Sequence, residues 1–386
     1  MKSKFISTST LVIGLAFATE ACFADASSAS QTPDTSVNGQ VNALTQKNVQ
    51  GTVGTVNPSS RPNIARARLN VSGDFLYWFA EEDGLEYAVV QKSASAEVAP
   101  AKSHVKQLSI DWQPGFRIGL GYRLPHDSWN LNAEWTRFYG SDHGHSIEPH
   151  SPDDLLAVPY VQIGNNASTV GGTRFVQKID KAHWKLHYNV LDFEFSRPFF
   201  LSKALAVRPF FGPRGAWIDQ KVQAHYDIFP FFGTLLSALV KSKNDYHAGG
   251  LRLGTDLDFY FTKYFSIFGQ ASGSLLYGQF ETKTNAYLGL PNTSPPFKSV
   301  LAIQAKNKPS HLRSNLEFRG GLKGHIPLFN NKAELTLAVT YDMSIWFSQN
   351  EINDAAFPGG VVSMIPEARK GDLTLQGLAV SAGLDF

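Results

Sequence analysis

The side chains of this chain that could do chemistry are charges set singly between apolar residues. Arg117 and Arg123 fall among Phe116, Ile118, Leu120 and Tyr122, and Glu134 falls between Ala133 and Trp135. Asp192 and Glu194 lie among Leu191, Phe193 and Phe195; Arg208 and Arg214 lie among Val207, Pro209, Phe211 and Trp217. Arg252, Asp256 and Asp258 follow the same rule, as do Arg313, Glu317, Arg319 and Lys323, and Asp342 between Tyr341 and Met343. Asp74, Lys185 and Asp385 are placed likewise. A period of two puts each such set on one face of a strand. The signs nearly balance. Lining a lumen, they would bias the passage of ions; paired with one another, they would fill it with ion pairs. Barrel size decides between these readings, since about eight strands leave a filled interior and roughly 16 to 18 leave a water channel.

Two carboxylate pairs, Asp192 with Glu194 and Asp256 with Asp258, are of the kind used in acid–base chemistry. Both lie near short connections, the periplasmic end of a barrel and the wrong end for external substrates, so no enzyme is expected. Asp142, His143, His145, His150 and Asp153 have residue types and spacing that can hold zinc, with a solvated external loop the preferred reading. No Ser/His/Asp set, phosphate loop or nucleotide fingerprint is present. No cofactor and no metal are expected.

The elements that must position these charges are strands. From Leu69 to Phe386 apolar residues alternate with polar ones in runs of about ten, as a tilted membrane-crossing strand needs. A soluble β-sandwich would also alternate, but with shorter strands. Short connections (124–128, 198–203, 262–264, 327–332) alternate with long ones (80–113, 140–181, 221–245, 282–310, 348–370). The expected fold is all-β: a closed antiparallel transmembrane barrel of ten strands, with short periplasmic turns, long external loops and both termini in the periplasm. Twelve strands is the alternative, with a further hairpin in 140–181. Parity slips between Trp184–Val190 and Leu191–Phe195, which predicts a β-bulge near Val190. Trp129, Trp135, Trp184, Trp217, Phe261, Phe265 and Phe347 are expected to form interfacial girdles. The apolar stretch from Ile228 to Val240 reads as a short helix or re-entrant loop that could constrict the mouth, with packing on the surface the equal alternative.

Composition agrees. Charged residues are 18% and aromatics 12%, yet the mean hydropathy is −0.17. Apolar and polar groups must therefore occupy different surfaces. Lys2 and Lys4 followed by Leu11–Ala18 read as a secretory signal over residues 1–24, cleaved after Ala24. A lipid-anchored start at Cys22 is the competing reading, opposed by the charge of Glu20. Cleavage removes two lysines and one glutamate, so the net charge falls from +2 to +1. A nucleic-acid partner is not expected at that charge. It also removes Cys22, the one cysteine, and with it any disulfide. Residues 25–68, rich in Ser, Thr, Asn, Gln and Ala, read as a flexible periplasmic tail. No apolar run after the signal is long enough for a helical span.

Several segments resemble a known family. They are Gly73–Trp78 with Glu82–Ala88, Pro114–Tyr122, Leu191–Phe195 and Arg208–Ile218. Together they are similar to the legionella-type pore-forming major outer-membrane proteins, also found in chlamydia-like bacteria, over about 69–386. The resemblance implies an outer-membrane barrel that passes ions and small hydrophilic solutes. The chlamydial major porins are cysteine-rich and cross-linked, which this chain is not. Leu378, Val380, Leu384 and Phe386 resemble the C-terminal signal read by the barrel-assembly machinery. The expected partners are outer-membrane lipid, that machinery and small solutes or ions. The competing function is a surface adhesin or structural envelope protein acting through the long loops.

Overall fold

The computed structural model describes residues 69–92, 102–124, 129–148, 154–157, 161–162, 169–170, 173–174, 176–228, 236–289, 300–329, 332–356 and 363–386. The signal and tail expected over residues 1–68 lie outside them. Ten strands form a ring: β1 (Leu69–Lys92), β2 (Lys102–Arg123), β3 (Asn130–Gly144), β4 (Val176–Ser196), β5 (Leu205–Ile228), β6 (Leu236–Tyr260), β7 (Phe265–Gly289), β8 (Ser310–Leu328), β9 (Ala333–Trp346) and β10 (Leu373–Asp385). Each pairs antiparallel with the strands before and after it in the chain, and β10 pairs with β1. Leu69 and Phe386 exchange two backbone hydrogen bonds of 2.9 Å at the seam. Closure leaves no free edge, as a sheet in lipid requires.

The further strands lie outside the ring. Asp154–Ala157 pairs with the far end of β1. Val300–Asn307 continues the register of β8 along β7; the two are separated at Pro309, which has no N–H to give. Ten strands is thus the ring size, and twelve is not reached.

Leu69, where the described chain starts, and Phe386 lie with the short turns, at what we call the short-turn end. Outward side chains in this half are apolar: Leu251 and Leu253 are 68% and 67% exposed, and Phe193, Phe211, Ile267, Leu322 and Val380 are exposed beside them. This band crosses about ten residues per strand, and only lipid suits it.

Beyond the band the strands continue and the two faces exchange character. On β4 the outward residues run Phe195, Phe193, Leu191, then Asn189, His187, Lys185 and His183. The inward ones run Glu194, Asp192, then the buried Val190, Tyr188, Leu186 and Trp184. β5 does the same, outward from Phe211 and Trp217 to Asp219 and Lys221, inward from Arg214 to Ala216 and Ile218. The pairing of β3 with β4 runs without a shift from Asn130↔Ser196 to Gly144↔Ala182. There is therefore no bulge at Val190. The strand keeps its phase while its outer solvent changes from lipid to water. Each solvent takes the face it prefers, so the apolar positions move from outside to inside.

Other expectations are corrected on the same ground. Trp184 is fully buried inside the barrel and not part of a girdle. Lys185 points outward, not into the lumen. Most of 80–113, 221–245 and 282–310 is strand and not loop. At about 3.3 Å per residue and a tilt of about 40°, the eleven residues of β5 beyond Trp217 raise the wall about 28 Å above the band. Leu236–Val240 opens β6 with Ala238 and Val240 buried, so that end of the expected helix is strand; 229–235 lies outside the described residues. A true irregularity sits in β1, where the register with β2 shifts between Glu81 and Glu86. Gly84 there has φ +83°, a conformation open to glycine at little cost.

Candidate functional site in the barrel lumen

The lumen has two storeys, set by the strand halves that line it. In the short-turn half, the inward residues are the charges that alternation singled out. Arg117 on β2 donates to Asp74 at 2.8 Å and to Asp342 at 2.9 Å, with Glu134 at 3.4 Å. Arg214 on β5 donates to both oxygens of Asp192, to Glu317 at 2.8 Å and to the Asn315 side-chain oxygen at 2.6 Å. Arg252 on β6 bonds Glu194 and lies 3.0 Å from Glu317. Arg208 pairs with Asp256, which also accepts from Gln270. Lys323 donates to Asp258 at 2.9 Å. Arg123, at the short-turn rim, donates to Asn130.

One pair spans the barrel. Arg319 on β8 donates to Glu134 on β3 at 2.7 Å, and these strands are five places apart in a ring of ten, so they are opposite walls. The charges thus pair across and around the lumen. This is the arrangement in which buried ions are tolerated, because each keeps partners in place of water. Below the network a polar cavity of about 250 Å³ remains, lined by Ser72, Asp74, Glu134, Arg208, Gln270 and Lys323 among others.

The second storey is an apolar core. Leu76, Trp78, Ile110, Phe138, Leu186, Tyr188, Val190, Ile218, Phe280, Trp346 and Leu375 are buried together. Tyr188 on β4 and Trp346 on β9 are again on opposite walls, and their rings meet edge to face at 6.0 Å. Above them Glu82 on β1 accepts from Gln220 on β5 at 2.9 Å, and Gln220 in turn accepts from Trp184. Glu82 lies beyond the apolar band, between the outward Glu81 and Asp83. Burial is the main reason its pKa rises to about 8; Gln220 pulls it down and Asp83 pushes it up.

A segment after β9 folds into the mouth. Gln349, Asn350, Glu351 and Ile352 are all buried. The Gln349 carbonyl accepts from Asn244 on β6, Asn350 donates to the Asp83 carbonyl on β1, and Glu351 pairs with Arg313 on β8. The sequence pointed to 228–240 as a segment that could constrict the mouth, of which 229–235 lies outside the described residues; among the described residues it is 349–352 that folds inward. A polar run beside a strand end carries no alternation to betray it. Glu82 also escaped, being a single polar residue inside a stretch that reads as loop; Gln220 falls on the polar face of its strand, but nothing in the local pattern sets it apart.

The other candidates are placed as follows. Arg117, Glu134, Asp192, Glu194, Arg208, Arg214, Arg252, Asp256, Asp258, Glu317, Arg319, Lys323 and Asp342 all enter the lower network, with Arg123 at the rim and Arg313 in the upper storey. The two carboxylate pairs considered for catalysis are tied to arginines and lysine in the short-turn half. Asp142 and His143 lie on β3 with His143 and His145 exposed, while His150 and Asp153 lie outside the described residues. Among the described residues no three His, Cys, Asp or Glu side chains are grouped to hold a metal. Leu378, Val380, Leu384 and Phe386 are exposed on the outer face of β10.

A closed ten-stranded antiparallel ring with an apolar outer belt and charges within defines an outer-membrane β-barrel protein. The sequence profile of the family described as Legionella pneumophila major outer membrane protein precursor matches residues 62–386, and the chain belongs to that family. Among solved structures it is similar to the outer membrane protease OmpT from Escherichia coli, at 9% identity and TM-score 0.37 over 83% of this chain and 97% of that one. It is also similar to the Pseudomonas putida toluene transporter TodX (8%, TM-score 0.19, 84% and 93%) and to a Pseudomonas aeruginosa FadL homologue (8%, TM-score 0.23, 85% and 95%). Comparison with curated proteins gives no match. Likenesses this distant carry no argument about activity.

Proposed function

We propose that the protein is an outer-membrane barrel sealed across the membrane, which holds a rigid β-walled stub and its loops outside the cell as a structural or surface-contact protein of the envelope. The observation behind this reading is the wall-to-wall filling of the lumen, by Arg319 with Glu134 at one level and Tyr188 with Trp346 at the next. A barrel of ten strands is narrow enough for side chains to do this. The short-turn end, with both termini, faces the periplasm in this reading, because outer-membrane barrels keep short turns there. Residues 1–24 act as the export signal.

A narrow pore for ions and small hydrophilic solutes is the second reading. The charge-lined cavity of about 250 Å³ below the network favours it, as does the resemblance described above. Planar-bilayer recording separates the two. Silence from purified protein, with insertion shown by its heat-modifiable migration, supports the sealed barrel. Stepwise conductance from the same preparation overturns it in favour of the pore.

A further inference from the structure

On the outer wall beyond the apolar band, five lysines stand side by side on consecutive strands. Lys185 on β4 is opposite Lys221 on β5, Lys221 is opposite Lys243 on β6, Lys243 is opposite Lys283 on β7, and Lys283 is opposite Lys306 in the strand that continues β8. Directly opposed side chains have Cβ atoms only about 5 Å apart, and like charges so placed repel. A folded sheet has no reason of its own to set five cations in one rung.

Carboxylates offset only part of this charge. The neighbouring outward rung holds Asp219, Asp245 and Glu281. Lys243 pairs with Asp245, and Lys306 and Lys308 both reach Glu281. Lys185, Lys221 and Lys283 have no carboxylate within ion-pair distance among the described residues. His183 and Lys241 stand in the rung beyond, and Lys241 lies over the Tyr287 ring. The far side of the barrel differs: there the outward residues of β1 at this height are Glu81 and Asp83, both exposed. The basic strip therefore faces one way.

Its height identifies what it meets. Lys221 is four residues past Trp217, the last apolar outward residue of β5. That places it about 10 Å above the edge of the apolar band, the depth at which lipid headgroups carry their phosphates. Ammonium groups at that level make charge-assisted hydrogen bonds to phosphate oxygens. We propose that the rung Lys185–Lys221–Lys243–Lys283–Lys306 is a docking strip for the phosphate groups of an outer-leaflet glycolipid, with Lys185, Lys221 and Lys283 as its free cations.

The test titrates full-length protein, folded in a zwitterionic detergent, with diphosphorylated lipid A. The K185Q/K221Q/K283Q variant should bind at least about tenfold more weakly, and K185R/K221R/K283R within about threefold of the parent. Removing phosphate from the lipid should weaken the parent to the level of the Gln variant, and inorganic phosphate at 10-fold excess over the lipid should not displace it. Without lipid, the Gln variant should melt at a higher temperature than the parent, because its repulsion is relieved; this also shows that it folds. Equal binding by parent and Gln variant, or by phosphorylated and dephosphorylated lipid, would overturn the strip. Displacement by inorganic phosphate would overturn the lipid as its ligand. The strip's outer-leaflet setting rests on the orientation proposed above. Since orientation has no effect in detergent, trypsin on whole cells tests it separately: cleavage only from the periplasmic side would overturn the setting, and cleavage from outside supports it.

Discussion

Tyr188 and Trp346 stand on opposite walls of the barrel and meet edge to face, with ring centroids 6.0 Å apart. Trp346 is fully buried, and Tyr188 nearly so. Truncating a buried aromatic of this size loses its transfer energy and leaves a cavity that the closed sheet cannot collapse. Trp346→Ala should destabilise the barrel by about 3–5 kcal/mol, read as a lower midpoint for the heat-modifiable shift on a gel. An unchanged midpoint would mean that the upper storey is not packed as described.

Arg214 is the most enclosed cation of the lower storey, with Asp192, Glu317, Asn315 and Ser274 around its guanidinium. Arg214→Ala would leave two buried carboxylates facing each other with one fewer cation. A loss of about 3–5 kcal/mol is expected, from the cost of uncompensated buried charge. Arg214→Lys should recover part of it, since an ammonium restores the charge but not the planar fork. Unfolding in urea from detergent measures both.

Glu82 gives the stability a pH dependence. Its folded pKa, raised by burial to about 8, lies above the ordinary value of 4.5. Between these two values the unfolded chain has released the proton and the folded chain retains it. Stability contributed here is therefore greatest at low pH and falls as pH rises from about 4.5 to 8. Glu82→Gln keeps an oxygen to accept from Gln220 and removes the titration. The parent should lose stability relative to this variant between pH 5 and pH 8, by an amount on the order of a few kcal/mol. Parallel profiles would refute the assignment.

The proposed export signal makes a simple prediction. Mass spectrometry of protein taken from outer membranes should give a chain beginning at Asp25. A mature protein that retains Cys22 with an added lipid mass would establish the anchored start instead.

Phe386 closes the seam through its backbone bonds to Leu69, and its ring lies on the lipid face with Leu378, Val380 and Leu384. Deleting it should lower the yield of folded barrel in the membrane several-fold, with protein accumulating in the periplasm. Fractionation and blotting check this, and normal yields would remove Phe386 from the assembly signal.

Alternation made the ring legible. Each membrane-crossing run pairs lipid-facing apolar residues with inward polar ones, so the ten strands and most lumen charges could be named from the order of residues alone. The same logic failed for Lys185. It sits among Trp184, Leu186 and Tyr188, and alternation shows only that these lie on the face opposite Lys185. Which face is inside depends on what surrounds the wall at that height. Below Val190 lipid takes the apolar face outward; above it water does the reverse.

The amino-acid order by itself determined the period, the membrane-crossing runs and the closure on Phe386, because these follow from local pattern and from the need to satisfy backbone groups in lipid; it left ten and twelve strands open, and the ring of ten was decided by the pairing. Only the tertiary structure decided the rest. It set where the wall leaves the membrane, that opposite walls touch through Tyr188 and Trp346, that 349–352 folds inward, and that five lysines share one rung. These are relations across a ring between residues far apart in the chain, and register and curvature bring them together.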